Sequence, residues 1–156
     1  MSESQRLPRR MLGLPMYLML ALTREGYRNA IKSGIQIRIP HYAVMATLAE
    51  FGPSSQKAIA ESVGFDKSDV TKLINELQER GLLQRLQDKE DNRRHRVTLT
   101  GKGKQQLEAS DQELAAAMKS FLRGLSASEY RQLNQLLLKA IQVHDERFIP
   151  TASAGD

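Results

Sequence analysis

The sequence predicts a mainly α-helical fold with one small β-hairpin, and three observations carry that expectation. Hydrophobic residues make up 40% of the 156, aromatics only 5%, and Trp is absent. That composition suits helices packed with Leu, Ile, Val, Ala and Met better than a sandwich or barrel. Apolar residues recur at helical spacing in several segments, as at Val70, Leu73, Ile74 and Leu77. One region breaks that rhythm: 82–87 and 95–100 read as two short strands either side of a polar loop. The length fits about one domain with one real core.

At the N-terminus, Arg6, Arg9 and Arg10 precede an apolar run from Met11 to Leu22. A basic start before a short apolar stretch is the outline of a signal peptide. The run is shorter than the roughly 20 residues that span a bilayer, and Thr23-Arg24-Glu25 follows it instead of a small-residue cleavage site. An amphipathic helix starting near Pro15 is the better reading, with Leu14, Tyr17, Leu18, Ala21 and Leu22 on one face. Ile39-Pro40 ends an extended stretch, and a helix is expected over 41–51 with Val44, Leu48 and Phe51 inward. Gly52-Pro53 marks a turn. Ser54 or Ser55 caps a short helix over 56–63, with Ile59, Ala60 and Val63 inward. Gly64 fits its left-handed C-terminal position. Asp66 caps the next helix, and Asp69 in its first turn complements the helix dipole. Val70, Leu73, Ile74 and Leu77 form its buried stripe, and Gly81 stops it.

A short helix, a turn of about three residues and a second helix in direct succession have helix-turn-helix spacing. The two strands come next, with Val97 and Leu99 on one face and Arg96 and Thr98 on the other. Their connection, 88–94, is polar and basic. A helix-turn-helix followed by a basic-tipped hairpin is a winged helix: the second helix suits a DNA major groove, and the wing suits the adjacent minor groove. A helix over 103–123 repeats Leu107, Leu114 and Phe121 every seven residues, with Met118 and Leu125 between. A last helix opens with the capping box Ser126-Ala127-Ser128-Glu129 and carries Tyr130, Leu133, Leu137, Ala140, Ile141 and Phe148 inward. The expected organisation is a dimerisation part over 1–37, a DNA-binding lobe over 38–100, dimerisation helices over 101–150 and a disordered tail over 151–156.

The terminal helices offer more apolar surface than one small domain covers. A homodimer is the natural outlet, with Leu14, Tyr17, Leu18, Leu133, Leu137, Ile141 and Phe148 at its interface, and a two-fold dimer reads a pseudo-palindrome. An intramolecular bundle is the alternative.

Net charge is +5, of which 85–104 carries +4 through seven cations and three anions. A charge run is often only solvated surface, but a localised basic patch is also the footprint of a polyanion site, because each cation placed on a phosphate releases counterions. The chain has no Cys, which excludes disulfides, thiolate nucleophiles and zinc–thiolate sites and makes the cytoplasm the simplest compartment.

The wing, from Asp88-Lys89-Glu90-Asp91-Asn92-Arg93-Arg94 through Val97-Thr98-Leu99-Thr100-Gly101-Lys102-Gly103, resembles the wing signature of the MarR family of bacterial regulators. Ser68 to Arg85 is similar to that family's recognition helix and its exit. Asn92 departs from the pattern, standing where many members carry a first Arg. The resemblance implies a dimeric repressor, less often an activator. It implies that Arg93 enters the minor groove with Asp91 orienting it, and that a small anionic or phenolic effector binds between dimer helices and lobe. Relatives that sense oxidants through Cys are not a precedent for this Cys-free chain.

On the second helix of the pair, the face opposite the stripe carries Lys67, Ser68, Asp69, Thr71, Lys72 and Asn75, which face either DNA or only solvent. Ser55 and Gln56 start the preceding helix, where backbone N–H groups suit a phosphate. Arg93, Arg94 and Arg96 are the wing candidates. By the resemblance, Tyr17, His41, Tyr42 and Met45 fall at the effector pocket; a capping or core role for His41 is the competing reading. Three scattered His without Cys give no metal-ligand set, and no cofactor is expected. An enzyme is disfavoured because no phosphate loop or nucleophile–base–orienter set is present. The rival functions are a sequence-indifferent nucleoid or architectural binder, a winged helix that binds protein or RNA, and a membrane-surface protein held by the N-terminal segment.

Overall fold

The computed structural model describes residues 7–32, 37–87 and 95–149, the side chains of 30 and 31 excepted. Two helices lie at the N-terminal end: a single turn, α1 (Arg9–Leu12), and α2 (Pro15–Lys32). α3 (Ile39–Phe51) begins two residues before the expected start, because Pro40 sits in its first turn, where the missing N–H has no helical partner to lose. α4 (Gln56–Val63) is capped by Ser55, whose hydroxyl accepts from the Ala58 N–H at 3.2 Å. Gly64 ends it in the left-handed conformation, φ +71°. α5 (Lys67–Glu79) follows. Asp66 stands at its N-cap with extended backbone, but the side chain accepts no capping bond, which corrects the expected cap.

β1 (Leu83–Gln87) pairs antiparallel with β2 (His95–Leu99), Leu83 opposite Leu99 and Gln87 opposite His95. The hairpin has a third participant that no sequence period signals. Ser54 bridges Val97 through two backbone bonds of 3.0 and 2.8 Å, clamping the α3–α4 turn to β2. Residues 88–94, including Arg93 and Arg94, lie outside the described residues, as do 1–6 and 150–156.

α3 is the central helix, contacting α4, α5, α6 and β2. Its buried His41, Val44, Met45 and Leu48 pack with Ile59 of α4, Val70, Ile74 and Leu77 of α5, and Leu82, Leu83, Val97 and Leu99 of the hairpin. Each of the apolar side chains among them contributes about 1.5–3 kcal/mol through removal from water. Phe51 is the exception to the expected stripe and is 70% exposed. Its angle on the helix suits the inner face, but it sits on the final turn, and no described residue covers it.

α6 (Gly101–Phe121) starts two residues earlier than expected because Thr100 caps it. The Thr100 hydroxyl accepts from the Gly103 N–H at 2.9 Å and donates to the Gly81 carbonyl at 2.7 Å, tying the helix start to the end of α5. α7 (Ala127–Gln142) opens with the capping box in full: Ser126 accepts from the Glu129 N–H, and the Glu129 carboxylate accepts from the Ser126 N–H. α7 buries none of its residues. Leu133 is partly buried, whereas Tyr130, Leu137, Ala140 and Ile141 are exposed in the single chain, so their expected inward packing is not made within it. α7 also ends before Phe148, which lies on a separate 3-10 turn, Glu146–Phe148. Leu14 and Leu18 of the N-terminal part are exposed, and Tyr17 is partly buried. No helix among the described residues is long and apolar enough to cross a membrane.

Candidate nucleic-acid interface

The buried stripe of α5 turns its other face to solvent. Lys67, Ser68, Asp69, Lys72 and Asn75 are exposed there and Thr71 is partly buried. Thr71 donates its hydroxyl proton to the Lys67 carbonyl at 2.8 Å, leaving its lone pairs as acceptors. Lys72 stands 3.8 Å from Asp69, an exposed pair held loosely enough to open toward a phosphate. The Asn75 amide oxygen accepts from Arg85 of β1 at 2.9 Å. That bond brings a wing-strand cation to the side of α5. Arg85 belongs to the basic patch, but no sequence period places it beside the helix. Its signal was only the general rule that a strand leaving a recognition helix runs back past it.

At the start of α4, the Ser55 hydroxyl is engaged in capping, and the Gln56 amide nitrogen is buried with no partner among the described residues. Arg96 projects from the exposed face of β2. α5, the start of α4 and the hairpin therefore belong to one lobe built on one core. The interface has the composition for polyanion contact: hydroxyls, an amide and flexible cations over a rigid base.

Behind α5, a small polar cluster fixes its seating on α3. The His41 ring is 2% exposed, and its Nε2 lies 2.7 Å from a Glu76 carboxylate oxygen on α5. Arg38 donates to the same oxygen at 2.9 Å. The Nδ1 atom of His41 is buried without a partner among the described residues, so the neutral ring donating from Nε2 suits the site best. Burial, outweighing the bond to Glu76, holds His41 below its ordinary pKa of 6.5, with Arg38 and Arg80 adding to the depression. Above 6.5 neither folded nor unfolded chain holds this proton. Below it the unfolded chain takes up the proton first, so acid favours unfolding. Glu76 is held below its ordinary 4.5 mainly by the bond from His41, and its contribution is lost at still lower pH. The unfolding midpoint in urea should therefore fall between about pH 7.5 and pH 5.5, by no more than one proton's slope, about 1.4 kcal/mol per pH unit. His41→Asn should flatten this dependence. An unchanged slope in the variant would remove His41 as its source.

Of the four residues assigned to an effector pocket, His41, Tyr42 and Met45 share one stretch of α3. Met45 has no exposed surface and belongs to the core, and His41 is committed to Glu76. Tyr17 lies on α2. Tyr42 lines a cavity of about 770 Å³, with Asp111, Met118, Lys119, Tyr130 and Arg131 among its walls. The Tyr42 hydroxyl donates to Asp111 at 2.7 Å, joining α3 to α6, and that bond raises its pKa. The rest of the lining comes from α6, α7 and the turn between them, helices the resemblance places beside the effector without naming their residues. No group of three or more His, Asp or Glu among the described residues is placed to hold a metal ion.

A family model described as MarR family matches residues 37–95, which covers most of the lobe. The chain is 33% identical over 100 residues to the transcriptional regulator HosA of Escherichia coli, covering 64% of this chain and 74% of that one. It is 34% identical over 85 residues to YdgJ of Bacillus subtilis, an HTH-type transcriptional regulator, covering 54% of this chain. That match spans about half the length of YdgJ, 52%. Among solved structures, the PcaV transcriptional regulator of Streptomyces coelicolor with its natural ligand superposes with a TM-score of 0.74 at 25% identity. The match covers 86% of this chain and 96% of PcaV. The relatives are regulators rather than enzymes, and the fold they share is the winged helix-turn-helix.

Proposed function

The chain belongs to the MarR family of winged helix-turn-helix transcriptional regulators, and we propose that it is a cytoplasmic homodimeric repressor that binds a pseudo-palindromic DNA operator and is released by a small-molecule effector. The observation that carries this reading is the pairing of two unmatched surfaces. α5 offers a polar face carrying Lys67 and Lys72 on a rigid lobe, and α7 offers an amphipathic helix that buries no residue in the single chain. A second copy covering α7 and the N-terminal helix supplies the two-fold axis that places two recognition helices about one DNA turn apart.

In this mechanism α5 enters the major groove. Ser68, Thr71, Lys72 and Asn75 face base edges and phosphates, Lys67 and Asp69 flank them, and the first turn of α4 at Ser55 and Gln56 holds a backbone phosphate. The wing carries Arg93, Arg94 and Arg96 to the minor groove. An effector that binds better to another spacing of the two lobes draws the dimer away from DNA, and DNA weakens effector binding by the same factor. PcaV, solved with its natural ligand, supports an effector step, and the cavity beside Tyr42 has room for a small molecule.

Arg93→Ala should weaken operator binding by roughly 1–3 kcal/mol at matched salt. Equal affinity for the variant would remove the wing contact. Selection from random duplexes tests the reading as a whole. It should return an inverted repeat with half-sites about 10 base pairs apart, centre to centre. Recovery without any common sequence would favour an architectural binder instead.

A further inference from the structure

Beyond the end of α7, the chain makes a tight turn whose side chain reaches the helix-turn-helix itself. The turn is fixed from within: Asp145 accepts from the Arg147 N–H at 3.1 Å, and the Gln142 amide donates to the Phe148 carbonyl at 2.9 Å. Asp145 also grips the Arg147 guanidinium through Nε and Nη2. The remaining arm, Nη1, donates to the Glu61 carbonyl in the last turn of α4, at 3.0 Å. That carbonyl is one of those a helix C-terminus leaves without an internal partner, and a cation suits the dipole there.

The seat is completed by Gly64. A Cβ at this position would collide with the Arg147 guanidinium, and its φ of +71° is one that side chains disfavour. Gly64 thus both ends α4 and leaves the space that Arg147 fills. Gly64 to Asp66 is the turn that aims α5. A continuous path therefore runs from α7, through the Asp145 brace and Arg147, to the turn ahead of the recognition helix.

We propose that Arg147 is a positioning residue, a strut through which the C-terminal helix sets the angle and separation of the recognition helices in the dimer. This rests on the dimeric operator-binding reading above. The Arg147 and Asp145 side chains are 46% and 22% exposed, so the pair adds little to folding; its effect is on geometry. The Arg147 bond holds the Asp145 carboxyl at about 2, so the brace stays charged at any pH at which DNA binding is measured.

The test combines two readouts on the wild-type chain, Arg147→Ala, Asp145→Asn and Arg147→Lys. The first is affinity for operators whose half-site spacing is changed by single base pairs. The second is the distance between spin labels on Glu79→Cys at the end of α5 in the dimer; the chain has no other Cys to label. Arg147→Ala should bind the best-spaced operator about fivefold or more weakly, lose a similar factor of spacing discrimination and broaden the distance distribution. Its dimerisation and melting temperature should stay close to wild type. Asp145→Asn should act in the same direction. Arg147→Lys should recover part of the effect by donating to Glu61. A wild-type spacing profile and a narrow distribution in Arg147→Ala overturn the strut while leaving operator binding intact. Equal weakening at every spacing with an unchanged distribution also overturns it. If Arg147→Ala fails to fold, Asp145→Asn decides by the same criteria. A wild-type chain without a preferred operator overturns the regulator reading, and a narrow, variant-independent distance would then refute the strut separately.

Discussion

Gly103→Ala is expected to cost about 3 kcal/mol of folding stability, the upper range for forcing an atom into a packed site. A Cβ at Gly103 would run into the Leu82 carbonyl and lie 3.1 Å from the Leu99 side chain. The first neighbour is backbone and has no rotamer to escape by. It belongs to the strand entry that Thr100 also grips, so any relief must separate α6 from the hairpin. A natural domain holds only about 5–15 kcal/mol, so a loss of this size is readily read in urea. Gly101 provides the control: it is in the same helix turn with no described residue packed within 4 Å of its Cβ position, and Gly101→Ala should change stability by less than about 1 kcal/mol. Equal losses at the two positions would refute the close-packing account.

Leu137→Asp should have the largest effect on DNA binding of any substitution outside the interface with DNA. Leu137 is 39% exposed on α7 in the single chain, so a monomer can solvate the aspartate and keep its fold. In a dimer that buries α7, the same carboxylate would be desolvated without a partner, which costs several kcal/mol. Sedimentation should show monomer at micromolar concentration, with helical circular dichroism retained. Losing the second half-site then removes the gain from linked binding, about a hundredfold or more in operator affinity. Dimer with wild-type affinity would show that α7 is not the interface.

Much of the lobe was legible because its punctuation is local. Ser55, Gly64 and Gly81 stop and start helices by their own backbone and side-chain chemistry, and the α5 stripe is periodic. What escaped was non-local or depended on position along an axis. Phe51 has the right helical angle but sits past the end of the core. Two residues, Ser54 and Val97, make a bridge too short to leave a period. At the site, exposed residues of α5 follow directly from its stripe, whereas His41 meets Glu76 from 35 positions away, and no pattern in either segment announces the pair. Met45, assigned to the pocket by resemblance, has no exposed surface, because its face of α3 packs against the rest of the lobe.

The most direct test of the central claim is fluorescence anisotropy of a labelled duplex taken from upstream of the gene, with a salt series and excess random DNA. Saturable binding at a dimer per duplex, preferred over random sequence by about a thousandfold or more, is the result the account predicts. Binding that random DNA displaces as well as the unlabelled duplex does, for this fragment and for any duplex enriched by selection, would contradict it.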